Sequence, residues 1–294
     1  MELLTHVESG DWLLGRVGDG ARVGGVAGTG FESYARVLHP VPAWLEDLTV
    51  ANEWGLHPVL QETRWRWSQV AVRQDLTMHP LVQFNRLADL HQGVDFPDGW
   101  RVGQTQEGYF DLDLLAALTE HLGLATATPH DLVAGIWNGW GEVRGHRWSA
   151  YVEEGSGLRG WLARRMWRNE VGGSHRRAAP EIRAVAAGGP WLEWPDRKMV
   201  LFATSIDELA DRTWPERARI GVQPGWSGTS PQLLWPADRS WVVASEIDWD
   251  STIVAGSRSL VDAVLGDERF EAFEVGEEDD LTYEGDTVNP PRGD

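Results

Sequence analysis

The most regular pattern of apolar and polar positions lies between Ser230 and Leu265, and it predicts a strand–turn–strand–strand–helix unit. The first strand is expected to lead into a turn at Pro236–Arg239, because proline presets φ and aspartate can hydrogen-bond its own backbone. Trp241 to Ile247 is rich in residues that favour strands, and Thr252 to Ala255 is a second short apolar run. We expect Trp235 and Trp241 to flank the turn, with at least one of them mostly buried.

Helical spacing follows this unit directly. Apolar residues recur from Leu260 to Leu265 at intervals of three and four, so Ser257 or Ser259 is expected to cap a helix. The same reasoning predicts further elements along the chain. Strands are expected at Glu32–His39, Lys198–Thr204 and Phe270–Val275, and helices at Arg64–Gln74, Asp111–Gly123, Thr128–Trp137 and, in a short form, from Ile206.

These elements predict an α+β fold, with a mixed or antiparallel sheet, helices packed on one side and a Trp-rich core. We expect a single domain over residues 1–281, with a possible subdivision at a loop-rich, arginine-containing insertion near 142–190. Residues 282–294 are polar and proline-rich, which is typical of a disordered tail. The glycine-dense stretch Arg22–Phe31 is expected to be a strand and a turn. It is not a phosphate loop, because Phe31 and Glu32 stand where lysine and serine or threonine would be needed.

Charge narrows the choice of partners. The net charge is −19, and ten acidic residues with one arginine between Asp267 and Asp286 contribute −9 of it. Such a chain repels nucleic acid and anionic membranes at long range and attracts a basic protein. There is no cysteine, no basic leader sequence and no apolar run of about 18 residues, so we expect a cytoplasmic protein without disulfides or a membrane span.

Three carboxylates are candidates for catalysis. If the strand runs on to Asp250, then Glu246, Asp248 and Asp250 share one face and project together. Their mutual repulsion could raise one pKa for general acid catalysis or could hold a divalent cation. The alternative is a solvated strand face. Histidines at metal-ligand spacing are absent, so we expect neither a metal site nor a cofactor.

Two other groups of residues are candidates for binding. Trp235 and Trp241 could offer stacking surfaces, although tryptophans scattered along the chain are more typical of core packing. The four consecutive acids from Glu277 to Asp280, namely Glu277, Glu278, Asp279 and Asp280, could attract a basic partner. A basic amphipathic helix is also expected at Leu158–Arg168, either as a partner-binding helix or as a solvated one.

Five motifs follow one another in the chain: GFESYARVLHP (30–40), TMHPLVQF (77–84), PHDLVAGIWNGWG (129–141), RKMVLFATSIDEL (197–209) and the segment 233–265. In this set and order the chain resembles a family of uncharacterised actinobacterial proteins, and that resemblance implies no catalytic residue. A weaker resemblance is to the SUKH (SMI1/KNR4-like) immunity-protein fold. It is carried by Asn138–Gly141, which is similar to a helix–NGG element, and by the strand and helix over Thr252–Leu265. This second resemblance implies a protein that neutralises a toxin by binding it.

Two functions therefore remain open. The first is a non-enzymatic interaction protein of the immunity or antitoxin type that binds a basic protein. The second is a hydrolase that uses Glu246, Asp248 and Asp250 in a Trp-lined cleft. The sequence leaves the oligomeric state undecided.

Overall fold

The computed structural model describes residues 1–53, 55–89, 93–144, 178–221 and 229–291, which form an α+β fold. The strands are β1 Glu2–Leu3, β2 Ser33–Leu38, β3 Val41–Glu46, β4 Val59–Trp65, β5 Val94–Asp95, β6 Trp100–Val102, β7 Leu132–Trp137, β8 Leu192–Trp194, β9 Arg197–Thr204, β10 Leu233–Pro236, β11 Val242–Ala244, β12 Ser251–Gly256 and β13 Ala272–Val275. The helices are α1 Asp11–Leu14, α2 Val23–Ala27, α3 Trp67–Arg73, α4 Phe84–Leu87, α5 Leu112–Leu124, α6 Gly141–Arg144, α7 Pro180–Gly188, α8 Ile206–Ala210, α9 Trp214–Ala218 and α10 Arg258–Leu265.

Two antiparallel sheets organise these elements. The larger sheet has the strand order β1-β9-β7-β10-β11-β12-β2-β13, with β8 pairing beside β1 on the same edge of β9. The smaller sheet has the order β4-β3-β6-β5. Only His39 and Pro40 separate β2 from β3, so the two sheets meet at this short connection.

Three apolar clusters fill the space around the sheets. The longer helices α5 and α10 cover one face of the large sheet together with α7, α8 and α9. The short helices α1 and α2 pack on its opposite face, so helices lie on both sides of the sheet and not on one side as expected from the sequence. The third cluster joins the small sheet to α3 and α4. Each cluster contains at least one fully buried tryptophan, as expected for a Trp-rich core. Trp214 and Trp241 lie in the cluster with α5 and α10, Trp235 in the cluster with α1 and α2, and Trp67 in the cluster with α3 and α4.

Several predicted elements are confirmed, together with their caps. β10, β11, β12 and α10 form the unit between Ser230 and Leu265, and the Ser257 hydroxyl accepts a hydrogen bond from the Leu260 N–H. The Asp111 carboxylate caps α5 by accepting from the N–H groups of Asp113 and Leu114. The strands predicted at Glu32–His39, Lys198–Thr204 and Phe270–Val275 correspond to β2, β9 and the edge strand β13.

Other predictions are wrong. The helix expected over Thr128–Trp137 is instead β7, where Thr128 and Pro129 belong to the preceding turn. The glycine-dense segment forms helix α2, which is wholly buried. A Cβ atom at Gly25 would collide with the Asp19 carbonyl, so glycine is needed for this packing. Within the expected insertion, Pro180–Gly188 is helical, and the basic helix expected at 158–168 lies outside the described residues.

The prediction of a disordered tail over residues 282–294 is also corrected, for residues 282–291, which the structure describes. Tyr283–Gly285 forms a 3-10 turn, and the following residues return to the body of the protein. Asp286 is 2% exposed and Asn289 is 5% exposed, and both accept hydrogen bonds from the segment between α3 and α4. The polar composition that suggested disorder instead supplies buried hydrogen-bonding groups.

Candidate functional site

The three carboxylates proposed for catalysis do not share a strand face. β11 ends at Ala244, and the chain then turns through Glu246–Trp249 before β12 begins. Glu246 and Asp248 both pair with Arg197, at 2.8 Å and 2.6 Å. Burial raises the pKa of Glu246, although Arg197 favours its charged form. These two acids therefore hold an arginine between them.

Asp250 points to a different, buried partner. Its Oδ1 lies 3.9 Å from the Arg36 guanidinium, and Thr105 donates a hydrogen bond to its Oδ2 at 3.3 Å. Arg36 is fully buried and donates to the Ser251 hydroxyl and to the carbonyls of Pro80 and Val82. Burial lowers the pKa of Arg36 to about 10, so it stays protonated at neutral pH, and burial raises the pKa of Asp250. This arrangement fixes the loop before α4 to the sheet.

A buried hydroxyl–imidazole chain lies beside this pair. His39 Nδ1 is 2.9 Å from the Gln106 carbonyl, and Nε2 is 2.8 Å from the Thr252 hydroxyl, which is 2.6 Å from the Ser245 hydroxyl. Burial lowers the pKa of His39 to about 4, so the ring is neutral. Because a carbonyl can only accept, Nδ1 donates, Thr252 donates to Nε2 and Ser245 donates to Thr252. Both ring nitrogens are thus engaged within the protein.

A cavity of about 610 Å³ opens next to His39, between the small sheet and the start of α5. Its charged side chains neutralise one another. Arg64 contacts Asp111 and Asp113, and Arg212 lies 2.9 Å from the Asp113 carboxylate. No excess charge is left in this cavity to select a charged ligand.

The two tryptophans considered for stacking are core residues. Trp235 and Trp241 flank the turn after β10, as predicted, and they are 1% and 0% exposed. Trp241 packs toward α5, where its indole N–H donates to the Leu122 carbonyl at 3.1 Å. Trp235 packs on the opposite face of the sheet. Neither ring is available to a surface ligand.

The four consecutive acids differ in what they can offer a partner. The Glu277 carboxylate accepts from the Gly30 N–H at 2.8 Å and is 3.0 Å from the Tyr34 hydroxyl. Asp279 and Asp280 accept from nearby backbone N–H groups at 2.8 Å. Glu278 is the exposed one, with its side chain 79% accessible. The acidic segment is therefore folded onto the protein, with part of its charge used to close local turns.

Glu277 lies in an open depression of about 590 Å³, which we call the acidic depression. It lies where β13 pairs with β2, and the register sets Glu274 opposite Ala35 and Val275 opposite Tyr34. Its lining residues come from three parts of the chain: Gly30, Phe31, Glu32, Ser33, Tyr34, Arg258, Glu274, Val275, Gly276 and Glu277. Gly30 has a φ of +78°, which suits glycine and allows its N–H to reach Glu277.

The acidic depression has an excess of negative charge. Among its lining residues there are three carboxylates, Glu32, Glu274 and Glu277, and one cation, Arg258, so the lining has a formal net charge of −2. Arg258 contacts Glu274 through its guanidinium and Glu32 through its backbone N–H at 3.0 Å. Burial, with a contribution from Glu277, raises the pKa of Tyr34 to about 12, so the phenol remains neutral.

A buried hydroxyl also lines this depression. Ser33 is 3% exposed, and its Oγ has no hydrogen-bond partner among the described residues. A buried hydroxyl without a partner costs free energy. The half-buried ring of Phe31 lies on the same rim, with the Arg16 guanidinium 4.9 Å from its centre. The depression thus combines carboxylates, a hydroxyl and an aromatic ring.

The sequence pointed to only part of this site. Glu277 was a candidate, but Glu32, Ser33 and Glu274 were missed, because only the β2–β13 pairing brings them together. A usable signal was the prediction that both segments are strands, with acids at or beside their ends. Without the register, that signal could not join residues more than 240 positions apart.

Searches against protein-family models, curated proteins and solved structures found no match. None of the helices that the structure describes has the length and apolar character of a membrane span. Within the described ranges, His, Asp and Glu side chains form no group of three or more that could hold a metal ion. The function must therefore be inferred from the chain itself.

Proposed function

We propose that this chain is a non-enzymatic, cytoplasmic interaction protein of the immunity or antitoxin type, which binds a basic protein. The observation that carries the proposal is the acidic depression, whose lining has three carboxylates and one guanidinium, that of Arg258. An arginine or lysine side chain of the partner is the group that this charge pattern would attract. The resemblance of the sequence to SUKH immunity proteins agrees with this proposal, but the proposal does not depend on it.

Long-range electrostatics support this choice. The net charge of −19 draws a basic partner toward the protein before contact. Local geometry then has to select the docking point. Glu274 and Glu32 are exposed, and the depression keeps an excess of negative charge for a partner's cation after Glu274 has paired with Arg258. Exposed charges of this kind favour rapid association more than tight binding.

The hydrolase alternative has less support. It required Glu246, Asp248 and Asp250 to converge, but the first two pair with Arg197 and the third pairs with Arg36. No specific geometry among the described residues favours that reaction over binding.

The test measures binding of an octa-arginine peptide and of any basic protein that is captured with the chain as bait. The double variant Glu32→Gln/Glu274→Gln should weaken binding by roughly tenfold, because each exposed pair contributes up to about 1 kcal/mol. The control, Glu193→Gln/Glu268→Gln, removes the same charge at exposed positions outside the depression. It should change the affinity by less than about twofold.

Salt dependence supplies the second readout. The association rate of the wild type should fall steeply as the ionic strength rises, with the dissociation rate changing much less. If both double variants weaken binding equally, overall charge is responsible and the acidic depression is not a binding site. If neither affects a captured basic partner, the proposal fails.

A further inference from the structure

The outer strand of the small sheet, β4, is unusually open. All six residues from Val59 to Arg64 are exposed on both faces of the strand, and only Trp65 is buried. Among the described strands β4 pairs with β3 alone, so its other edge has no strand beside it. Natural proteins usually protect such edges, because an uncovered edge can pair with another chain.

Hydrogen bonding within the small sheet shows which groups of β4 point outward. Pro42 accepts a bond from the Gly103 N–H, and the Glu46 N–H donates to the Gly99 carbonyl, so these alternate residues of β3 face β6. The intervening residues of β3 face β4, opposite Gln61, Thr63 and Trp65. Since a strand residue directs its N–H and C=O to the same side, the remaining residues of β4 direct theirs away from β3. In the regular part of the pairing those residues are Glu62 and Arg64, while Val59 and Leu60 lie at the register shift opposite Leu45 and Glu46.

The surface near this edge is also apolar. Two large apolar residues of β4 itself are exposed, Val59 at 47% and Leu60 at 63%. Single exposed apolar residues are common, but two in succession on a strand with a free edge are a feature of interaction surfaces.

We propose that β4 pairs with β4 of a second copy of this chain, antiparallel and about a two-fold axis through Thr63. Charge complementarity selects both this occupant and this register. An axis at Glu62 would set two glutamates opposite each other, and an axis at Arg64 would set two arginines opposite each other. With the axis at Thr63, each Glu62 lies opposite the Arg64 of the other copy, and both pairs use outward-facing backbone groups.

The intramolecular contacts of Arg64 fit this arrangement. Asp111 and Asp113 hold its guanidinium, which remains about half exposed. Each copy then offers the other one exposed guanidinium and one exposed carboxylate. The contact is small, so the dimer should be weak and should form only at high protein concentration. Because both copies carry −19, added salt should strengthen the dimer, which is the reverse of the effect expected for a basic partner.

The test uses the absence of native cysteines. In this register Thr63 faces its own copy across a pair that is not hydrogen-bonded, where the Cα atoms lie about 4.5 Å apart, and a disulfide can span that distance. The full-length Thr63→Cys variant should form a disulfide-linked dimer under mild oxidation. The control Val72→Cys, at a position that is 79% exposed on α3, should cross-link at least tenfold more slowly.

Sedimentation of the cysteine-free protein supplies an independent measurement. The wild type should show a dimer that increases with concentration and with salt. Glu62→Pro should reduce dimer formation at least tenfold, because it removes an outward N–H while the bonds to β3 remain. A monomer at every concentration and salt level would overturn the proposal, as would equal cross-linking of the two cysteine variants. Cross-linking of Thr63→Cys to a different protein, but not to itself, would also overturn the proposal. It would show that the free edge of β4 binds another partner.

Discussion

His79 Nε2 lies 2.8 Å from Oδ1 of Asp286, joining the segment between α3 and α4 to the C-terminal part of the described chain. The same carboxylate accepts from the backbone N–H groups of Gln83, Val288 and Asn289. Burial opposes the charge of Asp286, but the hydrogen bonds from Asn289, Gln83 and His79 outweigh it and hold the pKa of the carboxyl below its usual range. Asp286 is therefore an anchor that works only when ionised.

Asp286→Asn should lower the free energy of unfolding at pH 7 by about 2–3 kcal/mol, since hydrogen bonds to a buried charge are lost. A lowered carboxyl pKa stabilises the fold above the unfolded pKa, near 4, and this contribution is lost as the pH falls through the folded value. The difference between wild type and variant should thus shrink below about pH 4. Urea unfolding at pH 7 and pH 3 measures both quantities. Glu284→Gln, an exposed change of the same charge, serves as the control, and an equal effect of the two variants would contradict the anchor.

Asp250→Asn should change the free energy of unfolding much less than Asp286→Asn does. Burial raises the pKa of Asp250, and its nearest cation, Arg36, is 3.9 Å away, so the charged form gains little from its surroundings. A neutral amide should therefore change the free energy of unfolding at pH 7 by less than about 1 kcal/mol. Chemical denaturation at pH 7 compares the two variants directly. A loss as large as that of Asp286→Asn would show that the Arg36 pair is strongly stabilising.

His39 should make stability depend on pH between about 6.5 and 4. Its folded pKa of about 4 lies below the unfolded value of about 6.5, so the unfolded state binds the proton first. Stability is retained above pH 6.5 and falls as the pH drops through this window, by up to about 3 kcal/mol. His39→Gln should be less stable at pH 7 and should lose this pH dependence. Thermal unfolding of both proteins from pH 7 to pH 4 gives the comparison, and parallel curves would contradict the assignment to His39.

Trp241→Ala should cost about 3–5 kcal/mol, because the side chain is fully buried and its removal leaves a cavity against α5. Trp241→Phe keeps much of the apolar volume but loses the N–H bond to the Leu122 carbonyl. It should cost less, about 1–2 kcal/mol. Equilibrium unfolding measures both values. An unchanged melting temperature for the alanine variant would show that this part of the core does not limit stability.

Local sequence patterns predicted the fold best where one signal dominated. The Ser257 cap and the apolar spacing after it fixed α10, and the β-rich run before Thr204 fixed β9. The segment after Thr128 had two valid interpretations, since Thr-Pro followed by aspartate starts a helix or closes a turn. A run of six apolar residues fits either a strand or a helix, and pairing with β9 and β10 decided the outcome in favour of β7.

The candidate site was harder to predict because it depends on partners far apart in the sequence. The carboxylate of Asp250 reads as a surface group until Arg36 is placed beneath it. Polar residues near the C-terminal end read as disorder, because nothing local shows that Asp286 binds His79. The acidic depression requires the register of β13 on β2, which no short motif specifies.

β2 borders all three apolar clusters at once. Tyr34 contributes to the cluster beneath α2, Ala35 and Val37 to the one beneath α5, and Leu38 to the one beneath α3, while β12 and β13 cover its two edges. An opening motion that loosens one helix therefore leaves the peptide groups of this strand shielded by the other layers. Deuterium should enter the β2 amides only when the whole molecule unfolds, so their exchange rates report its total free energy of unfolding.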